Sequence, residues 1–103
     1  MNKISNEKKA IKLDRLDNVA TVMEDVKKGD KITIKGQKPE RYVICYSAIP
    51  RGHKIALMSI RKGDNIIKYG EVIGIAISNI IRGEHVHIHN LDSIRGKIKE
   101  ADL

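Results

Sequence analysis

Short apolar runs alternate with glycine turns along this chain, and within most runs the apolar positions recur every second residue. KITIKG (31–36), RYVICYS (41–47), HKIALMSI (53–60), NIIKYG (65–70), EVIGIAIS (71–78) and HVHIHN (85–90) therefore read as strands, since a period of two lines one face. AIKLDR (10–15) alternates too and reads as a first strand. One stretch departs from the pattern. In DNVATVMEDVKKGD, Val19, Val22, Met23 and Val26 fall at i, i+3, i+4 and i+7, the stripe of an amphipathic helix. Asp17 is placed to cap that helix, and Gly29 to end it behind Lys27 and Lys28. The expected fold is mainly β, with short strands and one short helix.

A turn motif recurs. Lys28-Gly29-Asp30, Arg51-Gly52-His53, Lys62-Gly63-Asp64 and Arg82-Gly83-Glu84 each place an apolar residue two positions later: Ile32, Ile55, Ile66 and Val86. A glycine with φ > 0 turns the chain, and the next strand starts with its inward residue in phase. The spacing is too irregular for a solenoid, so a compact coil of short strands with glycine corners is expected.

Composition supports this and adds limits. The 103 residues fit one domain. There is no Trp and no Phe, and the apolar mass is β-branched, with isoleucine dominant. We expect a polar N-terminal extension over 1–9, one domain over 10–90 and a charged tail over 91–103. The N-terminus has no apolar signal region and no stretch approaches a membrane span, so a soluble, cytoplasmic protein with no membrane partner is expected. The single cysteine, Cys45, excludes an intramolecular disulfide and reads as a buried thiol. The net charge of +7 suits anionic partners, but the basic residues are dispersed and three tyrosines give little to stack bases on. Nucleic acid is not an expected partner.

The versatile side chains are concentrated. His85, His87 and His89 stand at alternate positions, and the fourth histidine, His53, follows the Pro50-Arg51-Gly52 turn. On a strand the three alternate imidazoles would share a face. Three readings are open: ligands for a metal, a patch binding an anion or a partner chain, or the wet face of a strand whose other face buries Val86 and Ile88. Four residues are candidates for holding an anionic substrate: His53, Lys54, Lys68 and Tyr69. Lys68 and Tyr69 would point to opposite faces unless the chain bends at Gly70. The glycines of Gly-Glu-Val-Ile-Gly (70–74) lack dinucleotide-binding spacing, and no Ser-His-Asp arrangement is present.

DNVATVM (17–23), GHKIAL (52–57), IKYGEVIGIA (67–76) and GEHVHIHN (83–90) give the chain a family likeness. It resembles the SAF domain at the N-terminus of the altronate and galactarate dehydratases, and the small subunit of sulfolactate sulfo-lyase. The resemblance implies a β-clip fold and a place beside a large catalytic domain that removes water from a sugar acid with a divalent metal, iron or manganese. It implies a lyase subunit with little activity alone and no cofactor of its own, partnered by a large catalytic subunit and an anionic sugar acid. The histidine-rich ending resembles the altronate branch; the galactarate branch does not keep it. The family's large domain is absent, so the chain is expected to be either a separate small subunit or a piece of a longer protein. A sulfolactate carbon–sulfur lyase subunit and a non-catalytic acidic-sugar-binding module are the alternatives.

Overall fold

The computed structural model describes residues 7–93, all of whose regular elements are strands. Nine are present: β1 (Lys8–Ile11), β2 (Val19–Val22), β3 (Lys31–Lys35), β4 (Arg41–Ile44), β5 (Lys54–Ala56), β6 (Asn65–Lys68), β7 (Glu71–Ala76), β8 (His85–Val86) and β9 (Leu91–Ser93). β1 thus begins inside the stretch expected to be an extension, and β9 lies beyond the expected domain end at residue 90. The rest of the expected tail, 94–103, lies outside the described residues.

Six strands form one sheet in the order β4-β3-β1-β2-β5-β8, and three form a second in the order β6-β7-β9. β1 and β3 are parallel; every other pair is antiparallel. The larger sheet curls until its two ends approach. Tyr46 N–H donates to Gly83 O at 2.8 Å, and the Arg82 guanidinium donates to Tyr42 O at 2.8 Å.

The expected helix is not formed. Val19–Val22 is instead the strand β2, in the middle of the larger sheet. Three of the four residues in the helical stripe are valines, which lose side-chain freedom in a helix. The residue between them decides the matter: Ala20 is as buried as Val19 and Val22. A strand with both faces covered hides all three, whereas a one-sided helix would expose Ala20. Val19 packs in one core cluster, Ala20 and Val22 in the other.

Asp17 does not cap a helix but joins the two sheets. It is fully buried, and its carboxylate accepts from Leu13 N–H, Asp14 N–H and Gly70 N–H at 3.2, 3.1 and 2.8 Å. Asn18 continues the seam: its side chain donates to Asn65 O and accepts from Ile67 N–H, both on β6.

The four glycine motifs adopt one scheme. In each turn the fourth residue's N–H donates to the first residue's carbonyl: Asp30 to Lys27, His53 to Pro50, Asp64 to Arg61, Glu84 to Ile81. Glycine sits third, with φ between 87° and 94°, as a type II turn requires. In three turns the fourth side chain closes the loop, its carboxylate accepting from the N–H of Lys27, Arg61 or Ile81. The exception starts with Pro50, which has no N–H to offer. An acid would have nothing to accept there, and the position carries His53.

Each turn leads into a buried residue, and Ile32, Ile55, Ile66 and Val86 are all at 0% exposure. The residues just before the turns pair across the fold, Val26 with Ile49 and Ile60 with Ile80. The first pair shares a core cluster with Ile32 and Ile55, the second with Ile66 and Val86. Two turn-and-strand pairs thus build each half of the core.

Gly83 and Gly63 have the same φ but different surroundings. A Cβ on Gly83 would collide with Ile44 O, where the curled sheet closes, while one on Gly63 would meet nothing within 4 Å. Gly63→Ala should therefore cost only the left-handed backbone penalty, about 1–2 kcal/mol. Gly83→Ala must also push β4 away, for about 3 kcal/mol in total. Urea unfolding of both variants checks this, and equal costs would contradict the packing described.

Candidate functional site

The histidines meet at the edge of the larger sheet. β8 is its terminal strand, and His85 pairs with Ile55 of β5. His53 immediately precedes β5. The turn before β5 therefore delivers a fourth imidazole to the others. The His53 ring stacks on His87 with centroids 3.9 Å apart, and lies 5.1 Å from His85. His85 and His87 are 5.6 Å apart and near parallel. His53 Nδ1 and His85 Nε2 are in hydrogen-bond contact at 2.9 Å. That contact needs one N–H and one bare nitrogen, so the two rings cannot both present a proton there.

The alternation holds for two of the three histidines. β8 ends at Val86, because Asn90 folds the chain back. The buried Asn90 side chain accepts from His87 N–H and donates to His85 O, both at 2.9 Å. His89 is consequently exposed, its ring tilted 46° to that of His85. Ile88, which one of the three readings buries beside Val86, stands 79% exposed because the turn carries it outward. The ring nitrogens close enough to share one ion belong to His53, His85 and His87, not to His85, His87 and His89.

Lys54, first residue of β5, pairs with Val86 on one side and Thr21 on the other. Its ammonium is held below the usual lysine range by burial first and by Lys68 second. Lys68 therefore belongs to the same neighbourhood. The chain bends one residue earlier than expected, with Tyr69 at φ 54° and Gly70 at φ 80°. The bend brings Lys68 Nζ to 5.0 Å from the Tyr69 ring, and the Tyr69 hydroxyl hydrogen-bonds Thr21 Oγ1 at 3.3 Å. Thr21 and Asn90 have no counterpart among the sequence candidates. Asn90 had a local signal, as the residue ending the alternation; Thr21 is placed only by strand register.

Charge is arranged against protonation. Burial first, then His89, His53, His87 and Lys54, bring the His85 pKa down to about 4. His87 is lowered too, by burial first and then by His53, Lys54 and His89. The flanking Glu84 carboxylate is committed to its own turn. His85 and His87 are thus held toward the uncharged form beside the Lys54 and Lys68 side chains, which suits an anionic ligand.

The profile of the altronate/galactarate dehydratase SAF domain matches residues 8–94. The chain belongs to this SAF-domain family. Over 83 residues it is 43% identical to an altronate dehydratase of Bacillus subtilis (strain 168), covering 81% of this chain and 16% of that protein. Over 80 residues it is 44% identical to the altronate dehydratase of Escherichia coli (strain K12), covering 78% and 15%. The chain thus spans about one-sixth of the length of these dehydratases. A (2R)-sulfolactate sulfo-lyase subunit alpha from Chromohalobacter salexigens is 36% identical over 76 residues, covering 72% of this chain and 81% of that subunit. The family's mainly β character agrees with the strands described above. Among the described residues, no helix is long and apolar enough to cross a membrane.

The SAF domain's imidazole cluster predicts an acid-labile fold. In the unfolded chain His85 takes its proton near the ordinary value of about 6.5, but in the folded chain only near 4. The stability it lends is complete above about pH 6.5 and is lost as pH falls through about 4. Partial solvent exposure reduces the effect to the order of 1–2 kcal/mol. Melting temperatures should fall between about pH 7 and pH 4.5, and fall less in His85→Gln. Equal pH dependence in the two proteins would contradict the assignment.

Proposed function

We propose that this SAF domain is the small accessory unit of a sugar-acid hydro-lyase of the altronate dehydratase type. The observation that carries the reading is the 43% and 44% identity to altronate dehydratases over only about one-sixth of their length. The remainder of such an enzyme is the large catalytic partner. Our reading is that His53, Lys54, Lys68, Tyr69 and the imidazole face receive the substrate carboxylate and help to close the partner's site. Two ammonium groups and several N–H donors suit a carboxylate flanked by hydroxyls. The exposed Ile88 beside them is an apolar group for the partner to cover. In this reading the domain works in the cytoplasm, has the β-clip architecture and shows little turnover alone.

A second reading keeps the architecture and changes the bond broken. It is favoured by the sulfo-lyase alpha subunit, of which the match covers 81%. The domain reconstituted with the large subunit of a dehydratase or of a sulfo-lyase is the sample that separates them. Water loss from altronate without sulfite release from sulfolactate supports the first reading, and sulfite release supports the second. If neither substrate reacts but the domain binds altronate in calorimetry, it is a binding module and both readings fail.

A further inference from the structure

The imidazole cluster has a feature that carboxylate binding does not use. His87 Nδ1 is buried and, among the described residues, is the one buried side-chain nitrogen or oxygen without a hydrogen-bond partner. A polar atom left in that state costs free energy and calls for a ligand. One ring nitrogen from each of His53, His85 and His87 lies within 4.8 Å of the other two. Imidazoles bound to one tetrahedral ion at about 2.0–2.1 Å have their nitrogens roughly 3.3 Å apart. Small side-chain rotations close that difference, exchanging the His53–His85 hydrogen bond for two metal bonds.

We propose that His53, His85 and His87 together bind one divalent transition-metal ion, leaving a coordination position open for an anionic ligand. Three imidazoles with no carboxylate select a borderline ion such as zinc or iron(II) over magnesium or calcium. The nearby Lys54 ammonium opposes a bare dication. It favours an ion that carries an anion in its open position, so metal and carboxylate would bind there cooperatively. The backbone prepares the site: Pro50 frees position 53 from closing its turn, and Asn90 fixes the backbone at His85 and His87.

The test uses the isolated chain, with no partner and no turnover. Zn²⁺ and, as a coloured substitute, Co²⁺ are titrated into metal-free protein and followed by calorimetry, visible absorption and melting temperature. The expected result is a single ion per chain and a raised melting temperature. His53→Gln and His87→Gln should each weaken binding by about a hundredfold or more, and His89→Gln by no more than about twofold. Should a variant fail to fold, X-ray absorption on the unaltered protein counts the imidazoles directly, with three expected. Absence of binding, undiminished binding in folded His53→Gln, equal losses in the His89 and His53 variants, or two or fewer imidazoles would each overturn the site. Ion binding by a chain that leaves its large partner's turnover unchanged would keep this site and remove the accessory-unit reading; the reverse outcome would do the opposite.

Discussion

Asp17→Ala is expected to remove a large share of the domain's stability. Three backbone N–H groups converge on this buried carboxylate, two from its own loop and one from Gly70 in the turn joining β6 and β7 of the other sheet. Removing it strands three donors where water has little access, and each unsatisfied donor costs about 1–3 kcal/mol. Even with partial rehydration the sum is about 3–5 kcal/mol, a large share of the 5–15 kcal/mol typical of a whole domain. For this size the melting temperature should drop by about 15 °C or more. Asp17→Asn keeps one acceptor and should fall between the two. A helix cap lost at the same position would cost only about 1 kcal/mol. A small shift in thermal unfolding would therefore argue for the cap and against the seam.

On the accessory-unit proposal, Lys54→Met is expected to raise KM for altronate by about tenfold to a hundredfold in an enzyme assembled with a large dehydratase subunit. That range corresponds to losing a hydrogen bond to a charged group, about 1.5–3 kcal/mol. Methionine keeps the length and apolar stem of lysine, so β5 and its ladder should stand. If Lys54 only binds the carboxylate, kcat should change little. Steady-state kinetics on the assembled enzyme, with melting curves alongside, checks this. An unchanged KM would remove Lys54 from the substrate site.

Much of this fold could be read locally. The period-two runs became β3, β4, β5, β6 and β7, and the second residue after each glycine turn went into the core as its phase required. What failed was long-range. Val19, Val22, Met23 and Val26 carry a helical stripe, yet β2 lies between two neighbouring strands and two core clusters, so burial on both faces outweighed the local period. The histidines illustrate the same limit. Alternation placed His85 and His87 together correctly, but the Asn90 turn sent His89 outward. The third member of the group came from residue 53, through a β5–β8 pairing no local pattern encodes. Only the turn chemistry at Pro50 hinted that position 53 was released from a structural duty. The family likeness, carried by four ordered motifs, was legible because it does not depend on which contacts those motifs make.

The accessory-unit account is tested most directly by omission. A large altronate dehydratase subunit, prepared as a separate chain, is assayed with and without this chain, and altronate dehydration is measured at saturating substrate. A site left open to water and misaligned should lose about two orders of magnitude in rate, recovered on adding the chain back. Full dehydration by the large subunit alone would contradict the account.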